Sequence, residues 1–175
     1  MEIGVWRGVR AKQMIEVAAR FHPVSEIRYF GFDLFEDMQE GQVRREFAKI
    51  PLAEKYVRGV LEKTGADISL FRGDTSITLP QAMAHLPGMD FIFIDGGHSI
   101  ASIENDWKYA QKIMGEKSVV IFDDYWNRDD SGCKKVVDSI SREDFDVQVL
   151  PLQDRVRKGD HILTINFVCV AKRLP

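Results

Sequence analysis

The chain has 175 residues and a formal charge of −3, from 24 Lys and Arg against 27 Asp and Glu. A chain of this length predicts one domain, residues 1–175, with a full hydrophobic core. The 45% hydrophobic and 29% charged shares exclude wholesale disorder, and two cysteines are too few for a disulfide framework. The near-neutral charge argues against a nucleic-acid partner, and the apolar runs are too short to cross a membrane. Free thiols and the lack of a secretory signal lead us to expect a cytoplasmic chain.

Short β-rich runs alternate with stretches of helical spacing along the whole chain. The predicted strands are residues 1–6, 27–32, 68–71, 91–94 and 119–122, followed by 147–150 and 162–171. The predicted helices are residues 9–21, 52–63, 80–85, 100–114 and 134–140. Five β–α units predict an α/β fold, a doubly wound, mostly parallel sheet with helices on both faces.

Two segments define this sheet most clearly. Residues 91–94 are wholly apolar, which is typical of a central strand buried on both faces, and Ser99 can cap the helix that follows. The polar gap between the last two strands is too short for a helical crossover. These strands should therefore form an antiparallel C-terminal hairpin.

Acidic residues and glycines follow the predicted strands at their carboxyl ends. They are Asp33, Gly73-Asp74, Asp95-Gly96-Gly97-His98 and Asp123-Asp124. Ligands of doubly wound sheets bind outside these ends, so the acids together predict a binding site.

The loop after the first strand contains Gly4 and Gly8, which allow a sharp turn and a close approach to a ligand. A dinucleotide-binding fingerprint would carry a further glycine between them, and its absence disfavours NAD or FAD. Asp33, at the end of the second strand, either accepts both hydroxyls of a ribose or caps a loop.

Asp95, Asp123 and Asp124 would meet at one edge if the fourth and fifth strands are neighbours. Three converging carboxylates need a counter-charge, which a divalent cation such as Mg²⁺ supplies. The alternative is that Asp95 and one of the pair cap helices or bind the cofactor, while the other faces solvent. His98 is a candidate general base, because the ordinary pKa of histidine lies near neutral pH. We expect His22, His85 and His161 to be structural.

Taken together, five motifs resemble those of class I S-adenosylmethionine-dependent methyltransferases, especially the macrocin-type small-molecule O-methyltransferases. The motifs are residues 2–8 (EIGVWRG), 31–36 (GFDLFE), 73–75 (GDT), 93–99 (FIDGGHS) and 120–125 (VIFDDY). The resemblance implies a seven-stranded sheet whose last strand is antiparallel, in agreement with the predicted hairpin.

The resemblance also implies a role for each residue at the strand ends. The cofactor S-adenosylmethionine would have its methionine part beside Gly4, Trp6 and Gly8, with Glu2 also in the cofactor site. Its ribose would lie on Asp33, its adenine beside Gly73, Asp74 and Thr75, and its reactive end near Asp95 and His98. Mg²⁺ would bind Asp95, Asp123 and Asp124, with Asp123 and Asp124 equal candidates for the main acidic ligand. The metal would hold a hydroxylated small-molecule acceptor, with Asp95 and His98 as the catalytic residues.

Family members usually carry a long segment before the first strand, which covers the acceptor and contributes to dimers. Here the sequence starts within that strand, and the polar stretch 37–50, with Arg44, Arg45 and Lys49, is either a substitute lid or a solvated helix. A homodimer would cover an open pocket or sheet edge.

The expected function is therefore metal-assisted O-methylation of a hydroxylated small molecule. A catalytically degenerate fold that binds the cofactor or a partner protein is the main alternative, and a nicotinamide-dependent oxidoreductase is a weaker one. A nucleic-acid methyltransferase is disfavoured, because Asp123, Asp124, Asp129 and Asp130 would lie where a polyanion must bind.

Overall fold

A computed structural model describes residues 1–46, 50–158 and 161–173. The seven strands are β1 (Glu2–Ile3), β2 (Arg28–Asp33), β3 (Asp67–Arg72), β4 (Met89–Ile94), β5 (Met114–Trp126), β6 (Phe145–Lys158) and β7 (His161–Lys172). The six α-helices are α1 (Val9–Ala18), α2 (Glu40–Arg45), α3 (Glu54–Leu61), α4 (Thr75–Ala82), α5 (Ile100–Ala110) and α6 (Lys134–Ser139).

The strands form one sheet in the order β3-β2-β1-β4-β5-β7-β6. Strands β1 to β5 pair in parallel, whereas β7 is antiparallel to both β5 and β6. The predicted doubly wound sheet with an antiparallel C-terminal hairpin is thus confirmed. The reversal of strand order at β1 and β4 opens a crevice at their carboxyl ends, where such sheets bind ligands.

Two hydrophobic clusters cover the two faces of the sheet. Helices α1 and α3 pack over one face through Ala11, Ile15, Val57 and Leu61. The larger cluster joins the other face to α4, α5 and α6. Strand β4 contributes Ile92 and Ile94 to it, and Phe93 is buried on the other face, whereas Phe91 is 40% exposed. The predicted burial on both faces is therefore found at three of the four apolar residues.

The structure differs from the predicted elements mainly at their ends. Helix α4 begins at Thr75, before the predicted start at Pro80, because Asp74 caps it by accepting the Ser76 amide at 2.9 Å. Strand β5 continues past residue 122 to Trp126 by means of an irregularity between Phe122 and Tyr125. Ser99 caps α5 as predicted. Within the described part of the chain, every helix is too short or too polar to cross a membrane.

Candidate functional site

A cavity of about 550 Å³ opens at the carboxyl ends of β1, β2 and β4. Most of the predicted site residues line it: Glu2, Gly4, Trp6, Asp33, Gly73, Asp74, Thr75, Asp95, His98 and Asp124. The lining does not include two of the predicted residues, Gly8 and Asp123. The tertiary structure therefore gathers residues from five strand ends into one cavity.

Gly4 is held between the ends of two strands and has no room for a side chain. Its φ is +92°, and a Cβ there would lie 1.9 Å from the carbonyl oxygen of Asp95. The backbone of β1 can approach the loop after β4 this closely only with glycine. Gly4 therefore shapes the cavity floor and keeps Asp95 beside the first loop.

Gly8 has a packing role in this structure. It precedes α1 with a φ of +72°, and a Cβ would meet a methyl carbon of Val57 at 3.0 Å. Its contact is with α3, on the far side of the loop from the cavity lining. The spacing of glycines in the sequence does not distinguish these two roles.

The Asp33 carboxylate organises the first loop. Its Oδ2 accepts the backbone N–H groups of Val5 and Trp6, each at 2.7 Å, and its Oδ1 accepts that of Phe35 at 2.9 Å. A carboxylate offers about four acceptor positions, so one remains for a ligand after these bonds. Asp33 is thus both the anchor of the loop and an acidic group in the cavity wall.

Glu2 is a buried carboxyl group at the cavity floor. The Tyr29 hydroxyl donates to its Oε2, whereas Oε1 is buried with no hydrogen-bond partner among the described residues. Burial raises the pKa of Glu2 to about 7, although the bond from Tyr29 opposes the shift. A buried acceptor without a partner costs free energy unless a ligand or water satisfies it. Glu2 is therefore a candidate ligand group for a cation.

The loop after β3 forms the opposite wall of the cavity. Gly73, Asp74 and Thr75 line it, and Thr75 also hydrogen-bonds the buried carboxyl group of Asp106 on α5. Burial raises the pKa of Asp106 to about 7. Sequence reasoning did not identify Asp106, since a single acid inside an amphipathic helix has no distinctive local pattern.

The irregularity in β5 separates the two adjacent acids, Asp123 and Asp124. Asp124 has a φ of +58°, and the pairing with β7 shifts register at this point. Bulges of this kind re-aim side chains at the ends of sheets. As a result, Asp124 turns into the cavity, whereas Asp123 lies nearer to α1.

Asp95, His98 and Asp124 form a compact cluster of metal-ligating groups. One ligand atom from each lies within 4.8 Å of those of the other two. Burial, followed by the charges of Asp123 and Asp124, raises the pKa of Asp95 to about 8. Two carboxylates can share such a space only with a proton or a cation between them.

Asp123 has different partners. Its Oδ1 accepts the backbone N–H of Asp124 at 2.7 Å, and its Oδ2 lies 3.8 Å from a guanidinium nitrogen of Arg10. Burial and the Asp124 charge raise the pKa of Asp123 to about 6. The predicted metal set of Asp95, Asp123 and Asp124 therefore differs in one member from the cluster that the structure brings together.

His98 is held at both ring nitrogens. Its Nδ1 faces the backbone carbonyl of Glu46, and its Nε2 lies 2.7 Å from Oδ2 of Asp124. Burial alone would lower the pKa of His98, but the hydrogen bond and charge of Asp124 raise it. A carbonyl oxygen can only accept, so Nδ1 carries a proton, and Nε2 is the nitrogen that shares a proton with Asp124.

The predicted lid stretch, residues 37–50, contributes to the site through Glu46. This residue is buried, lines the cavity with Met38 and Gln42, and contacts the loop after β4. Arg44 is exposed and pairs with Glu40 at 3.7 Å. Lys49 and the side chain of Arg45 lie outside the described residues. Sequence reasoning missed Glu46 because its partners are more than fifty positions away along the chain.

The donor groups of the cluster fit a divalent cation. Mg²⁺ is commonly held by one or two carboxylates together with water, and Asp95 and Asp124 supply such a pair. Imidazole is a more usual ligand of transition metals, so His98 as a third ligand would favour those ions. The carbonyl on its Nδ1 matches the outer-shell bond that most metal-binding histidines make.

Comparison with solved structures shows the methyltransferase fold. One similar structure is the O-methyltransferase TomG from Streptomyces achromogenes, which is involved in tomaymycin synthesis and was solved in complex with SAM. Its TM-score is 0.62 and its sequence identity is 14%, and the alignment covers 97% of this chain and 71% of the TomG chain. A putative rRNA methylase from Clostridium thermocellum has a TM-score of 0.61 at 12% identity, covering 98% and 88%. Precorrin-6y C5,15-methyltransferase from Geobacter metallireducens has a TM-score of 0.58 at 17% identity, covering 98% and 78%.

Comparison at the level of sequence identifies the family. No curated protein matches the chain significantly. A family model described as methyltransferase domain (Methyltransf_24) matches residues 1–125, which include every predicted site residue. The chain therefore belongs to this methyltransferase domain family.

Proposed function

We propose that the protein is an S-adenosylmethionine-dependent methyltransferase that methylates a hydroxyl group of a small molecule with the help of a divalent cation. The observation that carries this proposal is the cluster of Asp95, His98 and Asp124 at the wall of the cavity. Membership of the methyltransferase domain family supports the reaction class. The TomG structure, described as an O-methyltransferase in complex with SAM, supports the cofactor and the choice of oxygen as acceptor.

The cofactor half of the cavity suits the charges of S-adenosylmethionine. The unpartnered oxygen of Glu2 would accept a hydrogen bond from the ammonium group of the methionine part, and Gly4 lines the cavity beside it. Asp33 keeps one acceptor position, which would take a ribose hydroxyl, and the adenine would lie beside Gly73, Asp74 and Thr75. Each part of this assignment uses a group that already lines the cavity.

The acceptor half is the side of the cavity at Asp95, His98 and Asp124. A divalent cation bound by Asp95 and Asp124 would lower the pKa of an acceptor hydroxyl and orient it. A cation on Asp124 would also free Nε2 of His98, which is then the candidate for taking the hydroxyl proton, because Nδ1 is occupied by the Glu46 carbonyl. Holding the hydroxyl in line with the methyl group would supply much of the rate acceleration.

Titration calorimetry with S-adenosylmethionine, with and without Mg²⁺, tests the proposal first. We expect micromolar binding to the wild type and no measurable binding of NAD⁺. An acceptor screen with hydroxylated small molecules should then reveal methyl transfer that depends on the divalent cation. His98→Ala and Asp124→Asn should lose transfer while retaining cofactor binding.

The outcomes separate the alternatives. Cofactor binding without turnover on any acceptor would favour a degenerate, partner-binding fold. No binding of S-adenosylmethionine, or a preference for NAD⁺, would overturn the proposal. Turnover that is unchanged by a chelator would remove the metal from it but leave the methyltransferase activity.

A further inference from the structure

Glu46 connects two parts of the site that are far apart along the chain. It follows α2, and it contacts the loop after β4 and the start of α5 through both its backbone and its side chain. Its side chain is almost fully buried, with 6% of the residue exposed. A charged side chain is rarely buried to this extent unless polar partners satisfy it.

The carboxylate of Glu46 binds the first turn of α5. Its Oε2 accepts the backbone N–H of Ser99 at 2.7 Å, and its Oε1 accepts the hydroxyl of Ser102 at 3.4 Å. A Cβ on Gly97 would come within 2.8 Å of the same Oε2, so a larger residue there would displace this carboxylate. The side chain thereby fastens the end of α2 to the loop that carries Asp95 and His98.

The backbone carbonyl of Glu46 acts on His98 directly. It accepts the Nδ1 proton of the imidazole, which leaves Nε2 directed at Asp124. In metal sites a bond of this kind fixes the tautomer and the ring orientation of the histidine. The position of this carbonyl depends in turn on the anchored carboxylate of the same residue.

We propose that Glu46 is a positioning residue: its carboxylate anchors the end of α2 on the start of α5, so that its carbonyl holds His98 with Nε2 toward Asp95 and Asp124. That the positioning of His98 matters for catalysis rests on the proposed function. The positioning itself is independent of that function. Because α2 also carries Gln42 into the cavity lining, the same anchor closes that side of the cavity.

The first test measures His98 in the ligand-free protein by NMR. The chain has four histidines, and a His98→Ala variant assigns the signals. We expect the Nδ1 proton of His98 to exchange slowly with water in the wild type and at least about tenfold faster in Glu46→Ala, because the outer-shell bond is loosened. Amide hydrogen exchange in α2 should rise in the same variant.

The matched control is Glu40→Ala, on the same helix, whose side chain is 91% exposed and pairs only loosely with Arg44. It should leave His98 unchanged. Glu46→Gln should rescue the slow exchange, because its amide oxygen can accept the Ser99 N–H and its amide nitrogen can donate to Ser102. Slow exchange of the His98 proton in Glu46→Ala, in a protein that is folded by circular dichroism, would overturn the proposal.

The second test asks whether Glu46 acts through His98. Binding of Mn²⁺ should weaken about 10- to 100-fold in Glu46→Ala, the usual cost of losing an outer-shell partner. In the His98→Ala background the same substitution should have almost no further effect, because coupled residues are not additive. An equal loss of Mn²⁺ affinity on adding Glu46→Ala to the wild type and to His98→Ala would overturn the proposal that Glu46 acts through His98. If the wild type binds neither Mn²⁺ nor S-adenosylmethionine, the proposed function fails, while the NMR result still decides the role of Glu46.

Discussion

The carboxylate of Asp33, at the end of β2, accepts the backbone N–H of Trp6 in the loop after β1 at 2.7 Å, although the two residues are 27 positions apart. This bond holds the first loop in the conformation that borders the cavity. Trp6 has a φ of +50°, which is uncommon for a residue with a side chain. The strained turn is thus stabilised by an acid that also lines the cavity.

Replacing Asp33 should therefore reduce both stability and cofactor binding. In Asp33→Ala we expect the free energy of unfolding to fall by about 2 kcal/mol, because hydrogen bonds to a charged acceptor are lost. Calorimetry should show no measurable binding of S-adenosylmethionine. The control Asp37→Ala removes only an exposed ion pair with Arg72, and it should retain binding. Undiminished cofactor affinity in Asp33→Ala would exclude Asp33 from the ribose site.

Gly4→Ala should reduce the binding of S-adenosylmethionine more than Gly8→Ala does. A Cβ at Gly4 would overlap the Asp95 carbonyl, so the loops after β1 and β4 must separate. A Cβ at Gly8 would press on a Val57 methyl group, which can move. We expect Gly4→Ala to abolish binding of S-adenosylmethionine. Gly8→Ala should lower stability by about 1 kcal/mol through its positive φ and retain measurable binding. Equal binding by the two variants would contradict this assignment.

Asp124 and Asp123 should differ in their effect on metal binding. Asp124→Asn removes a carboxylate from the cluster with Asp95 and His98, and we expect Mn²⁺ affinity to fall by about 10-fold or more. Asp123→Asn changes a group engaged with Arg10 and the Asp124 amide, and it should have a much smaller effect. Calorimetric titration with Mn²⁺ measures both. The reverse order of losses would make Asp123, and not Asp124, the main acidic ligand.

Asp106 should make stability depend on pH. Its pKa is raised to about 7 in the folded protein, so its stabilising contribution is complete below the unfolded pKa near 3.8 and is lost as the pH rises through 7. Asp106→Asn does not titrate. Relative to the wild type, its free energy of unfolding should therefore increase by on the order of 2 kcal/mol from pH 5 to pH 8.

Urea denaturation at the two pH values measures this difference. The exposed Asp144→Asn serves as the control for removing one negative charge, and its difference from the wild type should change far less. A constant difference between Asp106→Asn and the wild type would show that Asp106 is not held protonated by burial. Parallel binding titrations at pH 8 would show whether the variant keeps the cavity intact.

The amino-acid sequence alone predicts the sheet and the set of residues at its carboxyl edge. The apolar run before Asp95 and the short gap in the terminal hairpin predict strands from local chemistry, because burial and loop length act over a few residues. The strand-end acids follow from the same argument, since parallel strands must present their ends together. The family resemblance added the individual roles of these residues.

Which of the strand-end acids lie close together depends on tertiary contacts that the local sequence does not specify. The bulge in β5 sends Asp124 into the cavity and leaves Asp123 beside Arg10, a difference that two adjacent identical residues cannot encode locally. The burial of Glu46 against Ser99 depends on contacts across fifty-three positions of chain. Such contacts arise from how helices and loops pack over the sheet, and local periodicity carries no information about them.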